Sequence, residues 1–211
     1  MRLEKGLELL GVETTPDTFQ KLNAYLEALA TSNKVFNLIS RKSQEEAVTR
    51  HVLDSLTILP SVRGDRLLDV GTGAGLPGLM IAIVAPSVHC TLLDSNGKKA
   101  RFCYQTASEL GLQNVEVANT RLDAFEPEKP FSTVVSRAFG PAANLLASTR
   151  RLCGGEGRII CMKGTRPTDE LDALGSMKEN AHIERVEVPG LVAERHLLII
   201  DLPQAGTNRV S

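Results

Sequence analysis

The chain has 211 residues and a formal net charge of −1, with 42% hydrophobic and 23% charged residues. This length favours one domain, or one domain with an appendage, and the composition excludes a low-complexity chain. The charge excludes a protein that is basic overall, although a local basic face would suffice to bind RNA. No apolar run approaches the ~20 residues of a membrane span. The charged N-terminus lacks a signal-peptide core, so we predict a cytoplasmic protein.

The first part of the chain has the spacing of amphipathic helices. Thr15 and Pro16 form a cap and a first-turn proline, and apolar residues then recur every three or four positions from Phe19 to Leu29. A further helix is predicted from Ser43 past His51. We predict that residues 1–63 form a helical extension packed on the core.

After residue 64 the pattern changes to short apolar runs separated by helical stretches. The runs cover residues 66–70, 88–94, 115–119, 131–136, 157–163, 182–188 and 195–201. Strands that alternate with helices predict an α/β fold with a mostly parallel, doubly wound sheet. The segment 189–194 is too short for a helical crossover, so the last two strands should pair antiparallel. The predicted core domain spans residues 64–202, and a tail covers 203–211.

Cysteine and histidine spacing argues against metal sites and disulfides. The four cysteines contain no C-x-x-C pair, and the four histidines have no metal-ligand spacing. Cys90 and Cys161 lie inside apolar runs typical of strands. We therefore predict buried, reduced thiols and no metal.

A glycine-rich loop follows the first predicted strand. Residues 67–78 read LLDVGTGAGLPG. Glycines permit positive φ and let a ligand approach the backbone, and a helix starting near Leu76 would present free N–H groups to it. The stretch from Gly73 to Gly78 matches the dinucleotide fingerprint, and Asp94 ends the second strand where an acid binds ribose hydroxyls. A purely structural loop is the alternative.

Two features favour S-adenosylmethionine over NAD as the ligand of this loop. Asp69 ends the first strand, where its carboxylate would brace the loop, lie near an ammonium group and repel a pyrophosphate. An antiparallel last strand on an otherwise parallel sheet is also similar to the sheet of class I methyltransferases. An NAD-dependent oxidoreductase stays the alternative on the loop alone.

Several longer motifs make the chain similar to one family. The stretches DVGTGAGLPG, LLDSNGKKARF, SRAF (136–139), MKG (162–164) and ERHLLII (194–200) stand in the order and spacing of the glucose-inhibited division protein B family. These are the bacterial small-subunit rRNA guanine-N7 methyltransferases. NKVFNLISR (33–41) and RHVLDSL (50–56) fit the same family, and the resemblance covers residues 15–202. One departure is Ser32, where the family usually has Trp.

The resemblance implies a fold, a reaction and a partner. The fold is that of class I S-adenosylmethionine-dependent methyltransferases, a Rossmann-like sheet with an antiparallel last strand and an N-terminal helical extension. The reaction transfers a methyl group from S-adenosylmethionine to N7 of a guanine in the 530 loop of 16S rRNA. The partner is 16S rRNA, in the 30S subunit or an assembly intermediate, and the enzyme is a monomer.

The resemblance also implies site residues. The donor would contact the glycine loop and the two strands that follow it, through Gly71, Gly73, Gly75, Leu76, Asp94, Leu122 and Asp123. Arg137 of SRAF lies at the mouth of the site, near donor and target. A helix N-cap is the alternative role for Asp123, and a structural ion pair is the alternative for Arg137.

N7 of guanine has a lone pair and no proton, so the reaction needs positioning and not a general base. A donor to O6 should hold the base while N7 stays free. Arg137 is the first candidate for this role or for a backbone phosphate. Lys163 and Arg195 are further RNA-binding candidates, with a solvated charge as the alternative for Lys163. His196 is predicted to be structural.

Basic residues are dense between residues 137 and 166, where six arginines and lysines accompany only Glu156. If some of them converge at the pocket, they form a phosphate footprint, and otherwise they are scattered solvated charges. Three other function classes stay open on the sequence. They are a small-molecule or protein methyltransferase, an NAD-dependent oxidoreductase and a non-catalytic module that only binds the donor.

Overall fold

The computed structural model describes residues 1–36, 38–40, 46–137 and 139–203. Arg41, Lys42 and the predicted helix start at Ser43 lie outside these ranges, as does nearly all of the predicted tail. Among the described residues, no helix combines the length and the apolar character that crossing a membrane requires.

Three helical segments precede the sheet. They are α1 (Leu3–Leu9), α2 (Pro16–Phe36) and α3, which runs as a π-helix over Val48–Leu53 and as an α-helix over Asp54–Leu56. The hydroxyl of Thr15 accepts the Thr18 amide at 3.1 Å, so α2 begins with the predicted cap followed by Pro16. A 3₁₀ turn over Leu59–Ser61 leads into the first strand.

The remaining chain alternates strands and helices as predicted. The strands are β1 (Arg66–Val70), β2 (His89–Leu93), β3 (Val115–Ala118), β4 (Phe131–Arg137), β5 (Cys153–Lys163), β6 (Ala181–Val186) and β7 (Arg195–Asp201). The helices are α4 (Gly78–Val84), α5 (Gly97–Glu109), α6 (Ala142–Thr149) and α7 (Thr168–Asp172). Short 3₁₀ turns occupy Leu122–Ala124, Arg150–Leu152 and Gly175–Asn180.

The seven strands form one sheet in the order β3-β2-β1-β4-β5-β7-β6. The first five strands pair in parallel, whereas β7 pairs antiparallel with both β5 and β6. The last strand therefore inserts between the fifth and the sixth. This confirms the predicted α/β class, including the hairpin that the short 189–194 connection required.

Alternating side chains of the strands bury both faces of the sheet. On β1, Leu67 belongs to one core cluster and Leu68 to the other. Leu22 and Tyr25 of α2 lie in the same cluster as Leu67, together with residues of α4 and α5, while α6 covers the opposite face. The helices before the sheet thus share a core with it. The division of the chain at residue 64 stays a prediction.

Candidate functional site

The glycine loop after β1 divides into an open part and a packed part. Gly71 and Gly73 have φ values of 69° and 60°. A Cβ atom at Gly71 would meet only the Phe139 ring, at 3.5 Å, and one at Gly73 only a carbonyl oxygen, at 3.9 Å. Both contacts are ordinary van der Waals distances, so the positive φ, and not crowding, is what favours glycine at these two positions.

The packed part begins at Gly75, which has φ of 80° and is buried. A Cβ there would lie 2.3 Å from a side-chain carbon of Leu79, and one at Gly78 would lie 2.2 Å from a side-chain carbon of Leu92. These two glycines let α4 pack against the loop and β2. Leu76 is also buried, so neither Gly75 nor Leu76 is exposed to a ligand in this structure.

The backbone amides of the loop are used inside the protein. Gly71 and Thr72 donate to the Leu93 carbonyl, and Gly75 and Leu76 donate to the Thr72 carbonyl, at 2.8–3.1 Å. The prediction that the helix start near Leu76 presents free N–H groups is wrong, because α4 begins only at Gly78. A loop whose amides are occupied in this way does not form the phosphate cradle of a dinucleotide site.

Two aspartates take up further amides of the loop. Asp69 Oδ2 accepts the Gly78 amide at 2.8 Å and the Thr72 hydroxyl at 2.7 Å. Asp94 Oδ2 accepts the Gly73 amide at 3.0 Å. The loop is therefore braced by carboxylates, as predicted for Asp69, and a second brace comes from the end of β2.

Asp69 is fully buried, and burial raises its pKa to about 6 despite the hydrogen bonds from Thr72 and Gly78. Its Oδ1 atom is buried with no hydrogen-bond partner among the described residues. An acceptor of this kind favours a nearby hydrogen-bond donor or positive charge, and disfavours a pyrophosphate.

Asp94 is buried and fixed at the end of β2. Its Oδ1 atom accepts the Asn96 amide at 2.8 Å, and Lys99 Nζ lies 3.9 Å from Oδ2. A carboxylate offers about four lone-pair sites, so these contacts leave acceptor capacity on Asp94. Its position fits the ribose role that the sequence predicts.

A cleft of about 520 Å³ lies at the carboxyl ends of β1, β2 and β3. It brings together four of the residues that are predicted to contact the methyl donor, Gly71, Asp94, Leu122 and Asp123. Gly73, Gly75, Leu76 and Arg137 do not line it. The carboxyl edge is where open parallel sheets bind ligands.

Asp123 is an exposed residue of the 3₁₀ turn that borders this cleft. Arg121 Nη2 lies 3.1 Å from its carboxylate, and the hydrogen bond from Arg121 holds the pKa of Asp123 below its ordinary value. Arg121, not Asp123, occupies the N-cap position of the turn. The N-cap alternative for Asp123 is therefore wrong.

Arg137, at the end of β4, points to α3. Its Nη1 atom donates to the Arg50 carbonyl at 3.2 Å, and lies 3.5 Å from His51 Nδ1 and 3.9 Å from Asp54 Oδ2. Arg195 Nε donates to the other Asp54 oxygen at 2.8 Å. Arg137 thus takes part in an ion pair, but with a buried aspartate of α3 and not within the sheet edge.

His51 and Asp54 form the buried side of this arrangement. Burial raises the pKa of Asp54 although Arg195 and Arg137 oppose the shift. Burial and the nearby Arg137 charge lower the pKa of His51 to about 4, so its imidazole is neutral at pH 7.

Several of the basic residues between 137 and 166 are paired inside the protein, and of Lys163, Arg151 and Arg158 only Arg151 lines the cleft. Lys163 Nζ lies 2.8 Å from Glu170 and 2.7 Å from the Gly140 carbonyl, so it is not a freely solvated charge. Arg151 donates to the carbonyls of Leu122 and Phe125, both at 2.9 Å. Arg158 pairs with Asp201 at 2.7 Å, at the opposite edge of the sheet. The RNA role predicted for Lys163 and Arg195 stays a prediction.

Three residues of the site were missed by the sequence analysis. Asp54 is a single acid inside the apolar stretch HVLDSL, which is the signal that a buried charge needs a partner. Phe139 follows Arg137 by two positions, lines the cleft and is 41% exposed. Buried Tyr25 donates to the Ala74 carbonyl at 2.8 Å and ties α2 to the glycine loop, a contact that no local pattern reveals.

Among the described residues, no group of histidine, cysteine and acidic side chains has the geometry of a metal site. Cys90, Cys103 and Cys161 are buried, and burial raises the pKa of each thiol, which argues against nucleophilic use. Ser32, which stands where the family usually has Trp, is half-buried on α2.

The chain was compared with families and with individual proteins of known sequence. The family model described as rRNA small subunit methyltransferase G matches residues 18–198. Ribosomal RNA small subunit methyltransferase G of Alkalilimnicola ehrlichii is 44% identical over 201 residues, which cover 95% of this chain and 91% of that protein. The protein of the same name from Pseudomonas aeruginosa is 46% identical, over 94% of this chain and 93% of its own length.

Solved structures support the fold independently of these sequences. The N-methyltransferase NodS of Bradyrhizobium japonicum, solved with S-adenosyl-L-homocysteine, is similar with a TM-score of 0.56. The match covers 89% of this chain and all of that one, at 18% sequence identity. At this identity the similarity concerns the fold alone, and it agrees with a class I methyltransferase sheet.

Proposed function

The chain belongs to the family of rRNA small subunit methyltransferase G, and we propose that it methylates N7 of a guanine in the 530 loop of 16S rRNA. It is an S-adenosylmethionine-dependent methyltransferase whose substrate is 16S rRNA. The observation that carries the proposal within the molecule is the carboxyl-edge cleft with its carboxylate-braced glycine loop, and Arg137 ends the neighbouring strand β4.

The residues at the cleft fit the donor better than they fit NAD. The amides of the loop are occupied, so they offer little to a pyrophosphate, while Asp69 and Asp94 favour a ligand with positive charge. Gly71 lines the cleft without a side chain of its own, so the donor can contact its backbone there. In the proposed site Asp94 accepts from the ribose hydroxyls, and Leu122 and Asp123 contact the adenine.

The bound donor supplies an electrophilic methyl group to the N7 lone pair, so no side chain has to remove a proton. The protein's task is to hold the guanine with N7 directed into the site. Arg137 is our proposed donor to O6 or to a phosphate of the target nucleotide. It acts as a positioning group with a fixed positive charge, not as an acid or base.

We further propose that the guanine stacks on Phe139. An extruded base exposes its π-face, and enzymes of this kind hold it against aromatic or apolar side chains. Phe139 is exposed, lines the cleft and lies in contact distance of Gly71, at the open part of the loop. The base would then sit between the donor and Arg137.

The finer identity of the substrate is part of the proposal. We propose that the enzyme acts in the cytoplasm as a monomer, on the 30S subunit or an assembly intermediate. A loop guanine that is already unpaired is the least costly base to extrude, which agrees with a target in the 530 loop.

Methyl transfer from labelled S-adenosylmethionine tests the proposal. The acceptors are 30S subunits and deproteinised 16S rRNA from a strain that lacks the enzyme, and the labelled nucleoside is identified after digestion. Labelled 7-methylguanosine is expected, together with a monomeric elution volume. Label in another nucleoside, or donor binding without transfer to either acceptor, would contradict the proposal and point to a different acceptor.

A further inference from the structure

Two guanidinium groups from different strands converge on one carboxylate of α3. Arg137 ends β4 and Arg195 begins β7, and β5 lies between these strands. Two strand spacings correspond to about 10 Å between the backbones. Asp54 contacts both side chains, through Oδ1 at 2.8 Å to Arg195 and through Oδ2 at 3.9 Å to Arg137.

We propose that Asp54 is a positioning residue that holds Arg137 and Arg195 as one preformed cationic clamp for the target nucleotide. The inference rests on the proposed function, because it assigns the RNA side of the same site. Each arginine has five N–H donors in a fixed planar array. The contacts within the described residues engage Nη1 of Arg137 and Nε and Nη1 of Arg195. Nη2 of both groups remains for a phosphate oxygen or for O6.

Preformation has a physical value for this reaction. A free arginine side chain has many rotamers, and it loses this rotamer entropy when it binds RNA. Asp54 restricts both side chains before the substrate arrives, so less of that entropy is lost in the complex. Its side chain is only 6% exposed, whereas those of Arg137 and Arg195 are 25% and 20% exposed. The carboxylate is thus buried behind two guanidiniums that reach the surface.

The neighbours of Asp54 argue against a role in stability alone. His51 also faces Arg137, but its neutral imidazole does not balance a positive charge. Asp54 is the carboxylate that both arginines contact. Burial disfavours the charged form of Asp54 even with two arginines present, and a buried ion pair of this kind contributes little net stability. The fold nevertheless places the Asp54 carboxylate between Arg137 of β4 and Arg195 of β7, which are two of the residues predicted to bind RNA.

A second aspartate of the molecule, Asp201, provides a control for the Asp54 variant because it also contacts two arginines. Asp201 lies between Arg158, at 2.7 Å, and Arg63, at 3.0 Å, but at the other end of β7 and away from the cleft. Asp201→Asn removes the same charge from the same kind of cluster. Asp201→Asn therefore shows whether removing a carboxylate between two arginines lowers activity at a place away from the cleft, and the melting temperature of each variant reports its own effect on folding.

The test compares Asp54→Asn, Asp54→Glu and Asp201→Asn on 30S subunits, with donor affinity and melting temperature measured for each. For Asp54→Asn we expect kcat/KM on the rRNA to fall at least tenfold while donor affinity stays within twofold. Asp54→Glu should recover part of the loss, because it keeps the charge but shifts the carboxylate by one methylene. Asp201→Asn should stay within twofold of the parent in both kinetic measurements.

Measuring Asp54→Asn in an enzyme that already carries Arg195→Ala distinguishes a positioning role of Asp54 from a general structural role. In an Arg195→Ala enzyme, adding Asp54→Asn should cost less than threefold under single-turnover conditions, since the clamp is already broken. Undiminished activity of Asp54→Asn in an active parent, or a full tenfold cost in the Arg195→Ala background, would overturn the inference. A parent enzyme that does not methylate 30S subunits would instead overturn the proposed function.

Discussion

The two edges of the sheet carry the same kind of cluster with opposite electrostatic outcomes. At the carboxyl edge Asp54 lies between Arg195 and Arg137, and burial raises its pKa. At the amino edge Asp201 lies between Arg158 and Arg63; burial there is outweighed by the arginines, which lower its pKa. The Asp54 side chain is 6% exposed and the Asp201 side chain 34%.

The difference teaches that partners alone do not decide whether an ion pair stabilises the fold. Water still solvates part of the Asp201 carboxylate, and the Arg158 and Arg63 charges together outweigh the cost of its burial. Asp54 has lost that solvation, and two arginines do not fully replace it. A costly buried charge at the edge that carries the cleft is better explained by function than by stability.

The cavities at the amino and carboxyl edges of the sheet differ in volume and in lining residues. The amino edge has the larger one, about 910 Å³, bordered by residues such as Glu13, Lys21 and Asn114. The carboxyl-edge cleft is smaller, about 520 Å³, but receives the glycine loop and the strand-end Asp94. Open parallel sheets bind ligands at the carboxyl edge, so position on the sheet, and not cavity volume, favours the smaller cleft as the proposed donor site.

The largest expected effect concerns the donor. Asp94→Ala should lower S-adenosylmethionine affinity well over tenfold, because it removes a ribose acceptor and the brace of the Gly73 amide. Titration calorimetry measures this affinity. Glu13→Ala, at the larger cavity, is the matched control and should leave donor affinity unchanged. Equal effects of both variants would reverse the assignment of the two edges.

The next effect concerns the target base. Phe139→Ala should lower kcat/KM on 30S subunits about tenfold, because a stacked base contributes roughly 1–3 kcal/mol. Donor affinity should change by less than threefold. The control is Tyr104→Ala, which removes an exposed ring away from the cleft, 68% exposed on α5. A Phe139 variant with full activity would exclude stacking on this side chain.

A smaller effect concerns the link between α2 and the carboxyl edge. Tyr25→Phe removes one buried hydrogen bond to the Ala74 carbonyl and leaves the ring packed against Phe102. The free energy of unfolding should fall by about 1 kcal/mol, measured by urea titration. Because Ala74 belongs to the glycine loop, donor affinity should fall slightly as well. A change in stability with no change in donor affinity would separate α2 from the site.

The smallest effect is a difference in how Asp54 and Asp201 make the free energy of unfolding depend on pH. The lowered pKa of Asp201 gives stability that is present above its ordinary value of 3.8 and is lost as pH falls through the folded pKa. The raised pKa of Asp54 has the opposite sign, so the parent loses stability as pH rises from 3.8 through the folded pKa.

Urea unfolding of the parent and both asparagine variants between pH 3 and 7 measures this difference. Relative to the parent, Asp201→Asn should become less destabilised toward low pH, and Asp54→Asn less destabilised toward high pH. Slopes of the same sign in the two variants would show that the two clusters do not differ in desolvation.

The local pattern of the chain was sufficient for the elements and for four of the residues that line the carboxyl-edge cleft. Short apolar runs predicted each strand, and Thr15 before Pro16 predicted the start of α2. The 189–194 connection was too short for a crossover, which fixed the antiparallel hairpin. Gly71, Asp94, Leu122 and Asp123 follow strand ends, so a parallel sheet has to bring them to one edge.

Other features depended on contacts between distant segments. The use of the loop amides was not predictable, because Gly73 finds its acceptor 21 residues away in Asp94. The density of basic residues between 137 and 166 left a phosphate footprint and scattered charges both open, and only the structure shows that Lys163 and Arg158 pair with acids elsewhere in the chain.

The sequence by itself determined the fold class, the family and the donor loop, because periodicity, glycine placement and strand-end acids are local properties. Only the tertiary structure decided which charges meet. Asp54 and Arg195 are 141 positions apart in the chain and 2.8 Å apart in space. No local signal encodes such a pair, because it forms only when α3, β4 and β7 pack at one edge of the sheet.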